Sequence, residues 1–171
     1  MVDPAPGFPV LDHVDLAALD GFRFADGGGY PTSYRDFIRS HGWARTFGLW
    51  LIYPPVLPGF ADGRSRAANL TARFRAAFLD GREEGYDWMV QPDGDWDLAE
   101  RLEVFGWSEN GDVLLWDVSV RNEDGEFPVW ESRGMNALHR LGTSLTEALP
   151  RLRENSGTDG AEPLTPFALP S

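Results

Sequence analysis

The chain has no cysteine and only three histidines, His13, His41 and His139, which lie far apart in the sequence. Without cysteine there is no thiol nucleophile, no thiolate metal ligand and no disulfide. Ser40 directly precedes His41, but a catalytic triad needs partners that the fold brings together, and the chain has no Gly-x-Ser-x-Gly nucleophile elbow. The sequence therefore predicts no catalytic residue.

Asp93, Asp95 and Asp97 have the spacing of the first three ligands of a calcium-binding loop. The sixth position of that loop is then Leu98 in place of glycine, and the twelfth is Val104 in place of glutamate. Glycine permits the sharp turn and glutamate supplies two ligand oxygens, so the pattern fails at its most restrictive positions. We expect no metal and no cofactor.

Paired carboxylates such as Glu83 and Glu84, together with seven tryptophans, could serve an enzyme that acts on sugars. Residues 80–126 hold fifteen acidic residues, so some suitably spaced pair is inevitable and means little. Most of the tryptophans have apolar neighbours, which favours core packing over sugar stacking. We therefore expect a protein that is not an enzyme.

The net charge of −12 is concentrated in one part of the chain. Residues 80–126 contain fifteen acidic residues and three arginines, whereas the remaining residues contain twelve of each sign. Nucleic-acid binding needs clustered positive charge, so this distribution argues against direct contact with nucleic acid. It favours a basic protein partner or solubility alone.

A predicted hairpin over residues 104–119 lies within this acidic part of the chain, and the other predicted elements are arranged around it. Its two apolar runs are separated by a polar turn that contains Asn110-Gly111, a strong signal for a tight turn between strands. The hairpin also carries three large aromatic side chains, Phe105, Trp107 and Trp116. So much aromatic surface must be buried, so we expect the hairpin in the middle of a covered sheet.

Apolar periodicity predicts three longer helices. One begins at Thr32 or Ser33 and ends at Gly42, one covers residues 63–82, and the last begins with a capping box at Ser144 and is shortened or kinked by Pro150.

Short apolar runs predict the strands. Residues 86–90, 127–131 and 138–141 fit short strands, and Pro128 favours an edge position because proline cannot donate to a ladder. Residues 47–53 fit a buried strand or an apolar lid. The order of elements predicts an α+β fold with a single, largely antiparallel sheet and helices packed against it.

We expect three parts: a loose N-terminal segment with a short helix over residues 1–29, one domain over residues 30–153, and a disordered tail over residues 154–171. The first residues lack the basic and then apolar order of a signal peptide. No run approaches the roughly 18 apolar residues of a membrane span. A cytoplasmic protein with no membrane contact is therefore expected.

Several short motifs occur in a recognisable order. Tyr30-Pro31-Thr32-Ser33-Tyr34 opens the first long helix, residues 111–117 read Gly-Asp-x-Leu-x-Trp-Asp, and Phe127-Pro128-Val129 precedes a closing helix with Leu145 and Leu152. Over residues 30–152 the chain resembles the SUKH superfamily, the Smi–Knr type proteins named after a yeast regulator of cell-wall assembly. It departs from the usual pattern at Tyr30, where leucine is usual, in its shortened first helix, and in the aromatic insertion 47–55.

The resemblance implies an α+β fold without catalysis. Many bacterial members of the family are immunity proteins that bind and neutralise a cognate toxin, often a nuclease. Others are regulatory scaffolds, and the alternative function expected for this chain is a scaffold for cell-envelope or signalling partners. The signature positions are expected to be structural, with glycines for turns, tryptophan for the core and aspartates for local backbone hydrogen bonds: Gly106, Gly111, Asp112, Trp116 and Asp117.

We expect the partner to contact acidic residues at the turns that flank the hairpin, because loops held by a rigid sheet often carry binding residues. An acidic surface suits the basic groove of a nuclease, which holds phosphates. The competing surface is the apolar run 47–53. The sequence leaves the oligomeric state, the stoichiometry and the identity of the toxin open. The expected contacts are Asp93, Asp95, Asp97, Glu109, Glu123, Asp124 and Glu126.

Overall fold

Helices come in groups before and after short runs of strands in the computed structural model, which describes residues 11–60, 63–156 and 158–164. Within these residues the α-helices are α1 (Leu16–Gly21), α2 (Thr32–His41), α3 (Gly63–Glu84), α4 (Trp96–Arg101) and α5 (Leu145–Ser156), and a 3-10 helix covers Asp87–Met89. The strands are β1 (Ala44–Thr46), β2 (Trp50–Ile52), β3 (Leu102–Ser108), β4 (Val113–Asp117), β5 (Val129–Ser132), β6 (Leu138–Gly142) and β7 (Ala161–Pro163).

The seven strands form one antiparallel sheet in the order β6-β5-β4-β3-β2-β1-β7. Helices α1, α2 and α5 cover one face, where residues such as Leu19, Phe37 and Leu145 are buried. Helices α3 and α4 cover the other face around Phe74 and Leu98. The predicted α+β fold with a single sheet is therefore confirmed, and the sheet has a hydrophobic core on each side. No helix in the described residues is long and apolar enough to cross a membrane.

The β3–β4 hairpin lies in the middle of the sheet, as its aromatic content predicted. The turn follows Ser108, and Gly111 adopts a φ of +87°, which glycine accepts without steric cost. Trp116 is only 4 % exposed, and its ring stacks on that of Phe105 with centroids 4.0 Å apart.

A β-bulge in β3 sends two nearby aromatic side chains to opposite faces. The register shifts between Val104 and Gly106, so that one extra residue of β3 faces β4. Phe105 consequently belongs to the core under α1, α2 and α5, which we call the α2 core. Trp107 packs against the core under α3 and α4, which we call the α3 core. A Cβ on Gly106 would lie 3.2 Å from both Leu114 Cδ1 and the Leu51 carbonyl oxygen. Gly106 therefore serves a bulge inside a strand and not the turn that the sequence predicted.

Strand β2 is much shorter than its neighbour β3. It ends before Pro54-Pro55, and only the Tyr53 N–H continues the ladder, 3.0 Å from the Phe105 carbonyl oxygen. Two side chains of α3 bond the backbone of β3 beyond this point. The Val104 N–H donates to Thr71 Oγ1 at 2.9 Å, and Arg75 Nη2 donates to the Leu102 carbonyl oxygen at 3.1 Å.

Two expectations about the strands are wrong, and a third is confirmed over part of its range. The strand expected over residues 127–131 begins at Val129 and lies between β4 and β6, so Pro128 precedes an inner strand and marks no edge. The run 47–53 does contain a buried strand, but this strand covers only Trp50–Ile52 and follows a turn in which Phe47 has a φ of +54°. Residues 86–90 hold the 3-10 helix and not a strand, because Gly85, with a φ of +73°, turns the chain back toward α3.

The expected domain limits of 30 and 153 are also too narrow. Val14 and Leu19 are buried in the α2 core, so the segment around α1 is part of the domain. Helix α5 continues through Pro150 to Ser156. Strand β7 then pairs with β1 and buries Ala161, so the expected tail is a strand of the sheet over residues 161–163. The expectations for residues 1–10 and 165–171 lie outside the described residues.

We predict that Trp116→Ala will lower the free energy of unfolding by about 3–5 kcal/mol, because it removes a buried ring from the centre of the sheet. Urea unfolding followed by circular dichroism measures this loss. Trp88→Ala is the matched control, since Trp88 is 48 % exposed, and it should change stability by about 0.5 kcal/mol or less. Equal losses in the two variants would contradict this account of the core.

Candidate partner-binding surface

Two exposed aromatic rings lie where the chain leaves α3. Tyr86 and Trp88 are 44 % and 48 % exposed, and their rings stack with centroids 5.4 Å apart. The Tyr86 N–H donates a hydrogen bond to the Gly81 carbonyl oxygen at 2.8 Å, and this bond holds the 3-10 helix against the end of α3. The same helix buries Met89 beside Gly81, where a Cβ would lie 2.2 Å from the Met89 sulfur. The buried methionine anchors the segment, and the two rings remain outside.

Acidic side chains surround this aromatic pair. Residues 80–101 contain eight acidic residues and only two arginines. Arg82 is held between α3 and α4 by Glu100 at 2.8 Å and Asp97 at 3.7 Å. Glu83 and Glu84 are exposed, and their carboxylates form no ion pair or hydrogen bond among the described residues. We call this region, residues 79–101, the α3–α4 surface.

The α3–α4 surface includes three of the seven expected contact residues, but two of their carboxylates already bond the backbone. Asp95 caps α4 by accepting the Leu98 N–H at 2.7 Å. Asp93 accepts the Arg140 N–H at 2.9 Å and so covers the edge of β6. Asp97 is the most available of the three, since its side chain is 80 % exposed.

The other four expected contact residues lie elsewhere, so the seven do not form one surface. Glu109 is at the β3–β4 turn and pairs with Arg45 at 2.8 Å. Glu123 and Asp124 are exposed in the β4–β5 loop, at the opposite end of the hairpin strands. Glu109 is far from Glu123 and Asp124 because consecutive turns of an antiparallel sheet lie at opposite ends of its strands.

Glu126 was expected to point into solvent and does not. It is only 8 % exposed, and its carboxylate accepts the Ser33 N–H at 2.8 Å and the Ser33 hydroxyl at 2.6 Å. Helix α2 begins after Pro31, which offers no capping side chain. Glu126 therefore supplies from the β4–β5 loop the N-terminal cap that α2 lacks, and it has a structural role.

A neighbouring arginine ties the same loop to the N-terminal part of the domain. Arg121 donates to both carboxylate oxygens of Asp26, at 2.7 and 3.1 Å, and lies over the ring of Phe127 at 4.2 Å. This side-chain hydrogen bonding, helped by the Gly28 N–H, lowers the pKa of Asp26 below its usual value. The β4–β5 loop is thus held in place by the bonds of Glu126 to Ser33 and of Arg121 to Asp26.

The apolar run 47–53 is not an exposed surface. Phe47, Trp50, Ile52 and Tyr53 are each 3 % exposed or less. Trp50 belongs to the α2 core, so its replacement would test the fold before it tested any interface. The expectation of a competing interface on this run is therefore wrong.

The signature positions have local structural partners. Asp112 accepts the Gly134 N–H at 2.8 Å through Oδ1, which joins the β3–β4 turn to the loop after β5. Asp117 is 4 % exposed and accepts the N–H and hydroxyl of Ser119 at 3.1 and 2.6 Å. Both aspartates thus bond nearby backbone, and Gly111 serves the turn.

Sequence reasoning missed Tyr86 and Trp88 because it assigned them to a strand. Trp88 was grouped with the other tryptophans as a core residue, although Asp87 precedes it and Glu83-Glu84-Gly85 stand just before. An aromatic residue in so acidic a segment is a signal for exposure, since few apolar neighbours remain to bury it. That signal was present in the sequence.

No group of three or more histidine, aspartate or glutamate side chains in the described ranges is arranged to hold a metal ion. Comparison of the chain with protein-family models, with curated proteins and with solved structures gives no match.

We predict that Glu126→Ala will lower the free energy of unfolding by about 1–3 kcal/mol, because it leaves the start of α2 uncapped and the half-buried Ser33 groups without their acceptor. Chemical denaturation of the purified variant measures the effect. Glu123→Ala, three residues away and exposed, should leave stability within about 0.5 kcal/mol of the parent. If the Glu126 variant is as stable as the parent, the assigned capping role is wrong.

Proposed function

We propose that this protein is a non-catalytic binding protein of the immunity type, which neutralises a cognate protein toxin by direct binding. The observation that carries the proposal is the stacked, exposed pair of Tyr86 and Trp88 within the acidic α3–α4 surface. Tyrosine and tryptophan are the residues that most often dominate binding energy at protein interfaces. A solvent-exposed pair held rigidly by a 3-10 helix is a preorganised anchor.

The charge around the anchor supports a basic partner. Eight acidic residues against two arginines in residues 80–101 give a strongly negative rim. The groove of a nuclease is basic because it must hold phosphates, so a negative surface accelerates association with it and can block it. The proposed partner is therefore a toxin with a basic active-site groove, such as a nuclease.

The resemblance to the SUKH superfamily supports the same class of function. Its members include immunity proteins and regulatory scaffolds, and both act by binding proteins. The two differ in what the partner does. An immunity protein abolishes the activity of its partner at equal concentration, whereas a scaffold leaves the activity of a bound cell-envelope or signalling protein in place.

The test begins with copurification of the full chain and its partner from the native host, followed by identification of the partner. The activity of the partner is then measured with and without an equimolar amount of this protein. Loss of nuclease or other toxic activity supports the immunity function. A partner that keeps its activity in the complex would contradict it and favour the scaffold.

We predict that Trp88→Ala will weaken the toxin complex by roughly 30-fold, since truncation of an interface anchor costs about 2 kcal/mol or more. Surface plasmon resonance measures the dissociation constant, and the loss should appear mainly in the dissociation rate. Val120→Ala is the control, because Val120 is equally exposed, at 52 %, but lies in the β4–β5 loop. Equal affinities of the Trp88 variant and the parent would place the partner elsewhere.

We predict that Glu83→Gln/Glu84→Gln will slow association and reduce its dependence on salt, because exposed charges act mainly through steering. Neither carboxylate bonds another described group, so stability should hold. Glu123→Gln/Asp124→Asn removes the same charge from the opposite end of the hairpin strands and is the matched control. If both double variants slow association equally, the effect comes from net charge and not from this surface.

A further inference from the structure

A cavity of about 430 Å³ opens beside the first half of β3, between α3 and the loop that joins α1 to α2. Its lining is distinct from the α3–α4 surface: the α3 residues that line it fall between Ala67 and Arg75, whereas that surface begins at Leu79, one helical turn further along α3. Its volume is in the range of small-molecule sites, which is about 300–1,000 Å³.

The cavity exists because β2 stops early. A longer β2 would continue beside Leu102 and Val104, but Pro54-Pro55 end the strand. The hydroxyl of Thr71 and the guanidinium of Arg75, one helical turn apart, take over the backbone hydrogen bonds that the missing strand would make. Alanines 67, 68 and 72 on this part of α3 fill little of the remaining space.

Aromatic rings form the opposite wall of the cavity. They are held by contacts with one another: Phe22 stacks on Tyr30 at 4.8 Å, and Tyr34 meets Trp116 edge to face at 5.0 Å. Phe24, Tyr53 and Phe105 also line the cavity. Such a rigid aromatic wall is suited to an apolar or planar group, which it can receive without rearrangement.

Two opposite charges line the same cavity without pairing with each other. Glu103 faces the α2 side of the sheet opposite Trp116, and its carboxylate forms no hydrogen bond or ion pair among the described residues. Arg75 uses one nitrogen for the Leu102 carbonyl oxygen and makes no ion pair there. Separated charges of opposite sign can receive one ligand that carries both charges.

We propose that this cavity binds a small zwitterion with an apolar body, in the class of the aromatic amino acids. The ammonium group pairs with Glu103, the carboxylate pairs with Arg75, and the side chain packs against the aromatic wall. This site is independent of the proposed toxin-binding function, because the residues concerned do not belong to the α3–α4 surface.

Isothermal titration calorimetry of the full chain with four probes tests the proposal. L-Tryptophan carries all three features, tryptamine lacks the carboxylate, indole-3-propionate lacks the ammonium group, and glycine lacks the apolar body. We expect L-tryptophan to bind with saturation at least tenfold more tightly than each of the others, since each lacks one group that the cavity recognises. No saturable binding of L-tryptophan at millimolar concentration, or equal binding of the three indoles, would overturn the proposal.

Two variants locate the binding. Glu103→Gln should weaken L-tryptophan about tenfold and leave indole-3-propionate unchanged, because only the ammonium group needs the carboxylate. Ala72→Phe should fill the cavity and abolish binding, whereas Ala76→Phe, exposed one turn further along α3 and outside the cavity lining, should not. Unchanged binding in Glu103→Gln would overturn the proposal even if the filled variant fails to fold.

Discussion

A single extra residue in β3 determines how the sheet serves two cores. In a regular strand Phe105 and Trp107 would lie on the same face, because side chains alternate with a period of two. The bulge at Gly106 sends Phe105 to the α2 core and Trp107 toward α3. The stack of Phe105 on Trp116 depends on this shift. The shift in turn requires glycine at position 106, because a side chain there would press on Leu114 and the backbone of β2.

Helix α3 combines two tasks that are usually separate. Its middle turns replace part of a strand, since the side chains of Thr71 and Arg75 bond the backbone of β3 where β2 is missing. Its last turns are exposed and acidic, and they lead into the 3-10 helix that holds Tyr86 and Trp88 outside. The two regions share no residue, and they meet where Arg75 lies one helical turn before Leu79 on the same 22-residue helix.

Local signals in the sequence were sufficient for the centre of the fold. Asn110-Gly111 and the alternating run after it located the β3–β4 hairpin, and the apolar stripe of Phe74 and Phe78 located α3. Features that depend on distant residues could not be read in this way. The bond of Glu126 to Ser33 spans 93 positions, and nothing local distinguishes Glu126 from the exposed Glu123. The seven acidic residues expected to form one interface are separated in the structure for the same reason, because consecutive turns lie at opposite ends of a sheet.

The pairing of β7 with β1 has a consequence for how the chain acquires its structure during synthesis. Ala161 lies opposite Thr46, 115 positions earlier. The outer side of β1 therefore stays without its strand until almost the whole described chain has left the ribosome. Long-range pairings of this kind are slow to form because a large loop must close first. Strand β1 is thus the edge of the sheet for most of translation, and it becomes an inner strand only when residues 161–163 pair with it and β7 takes over the edge.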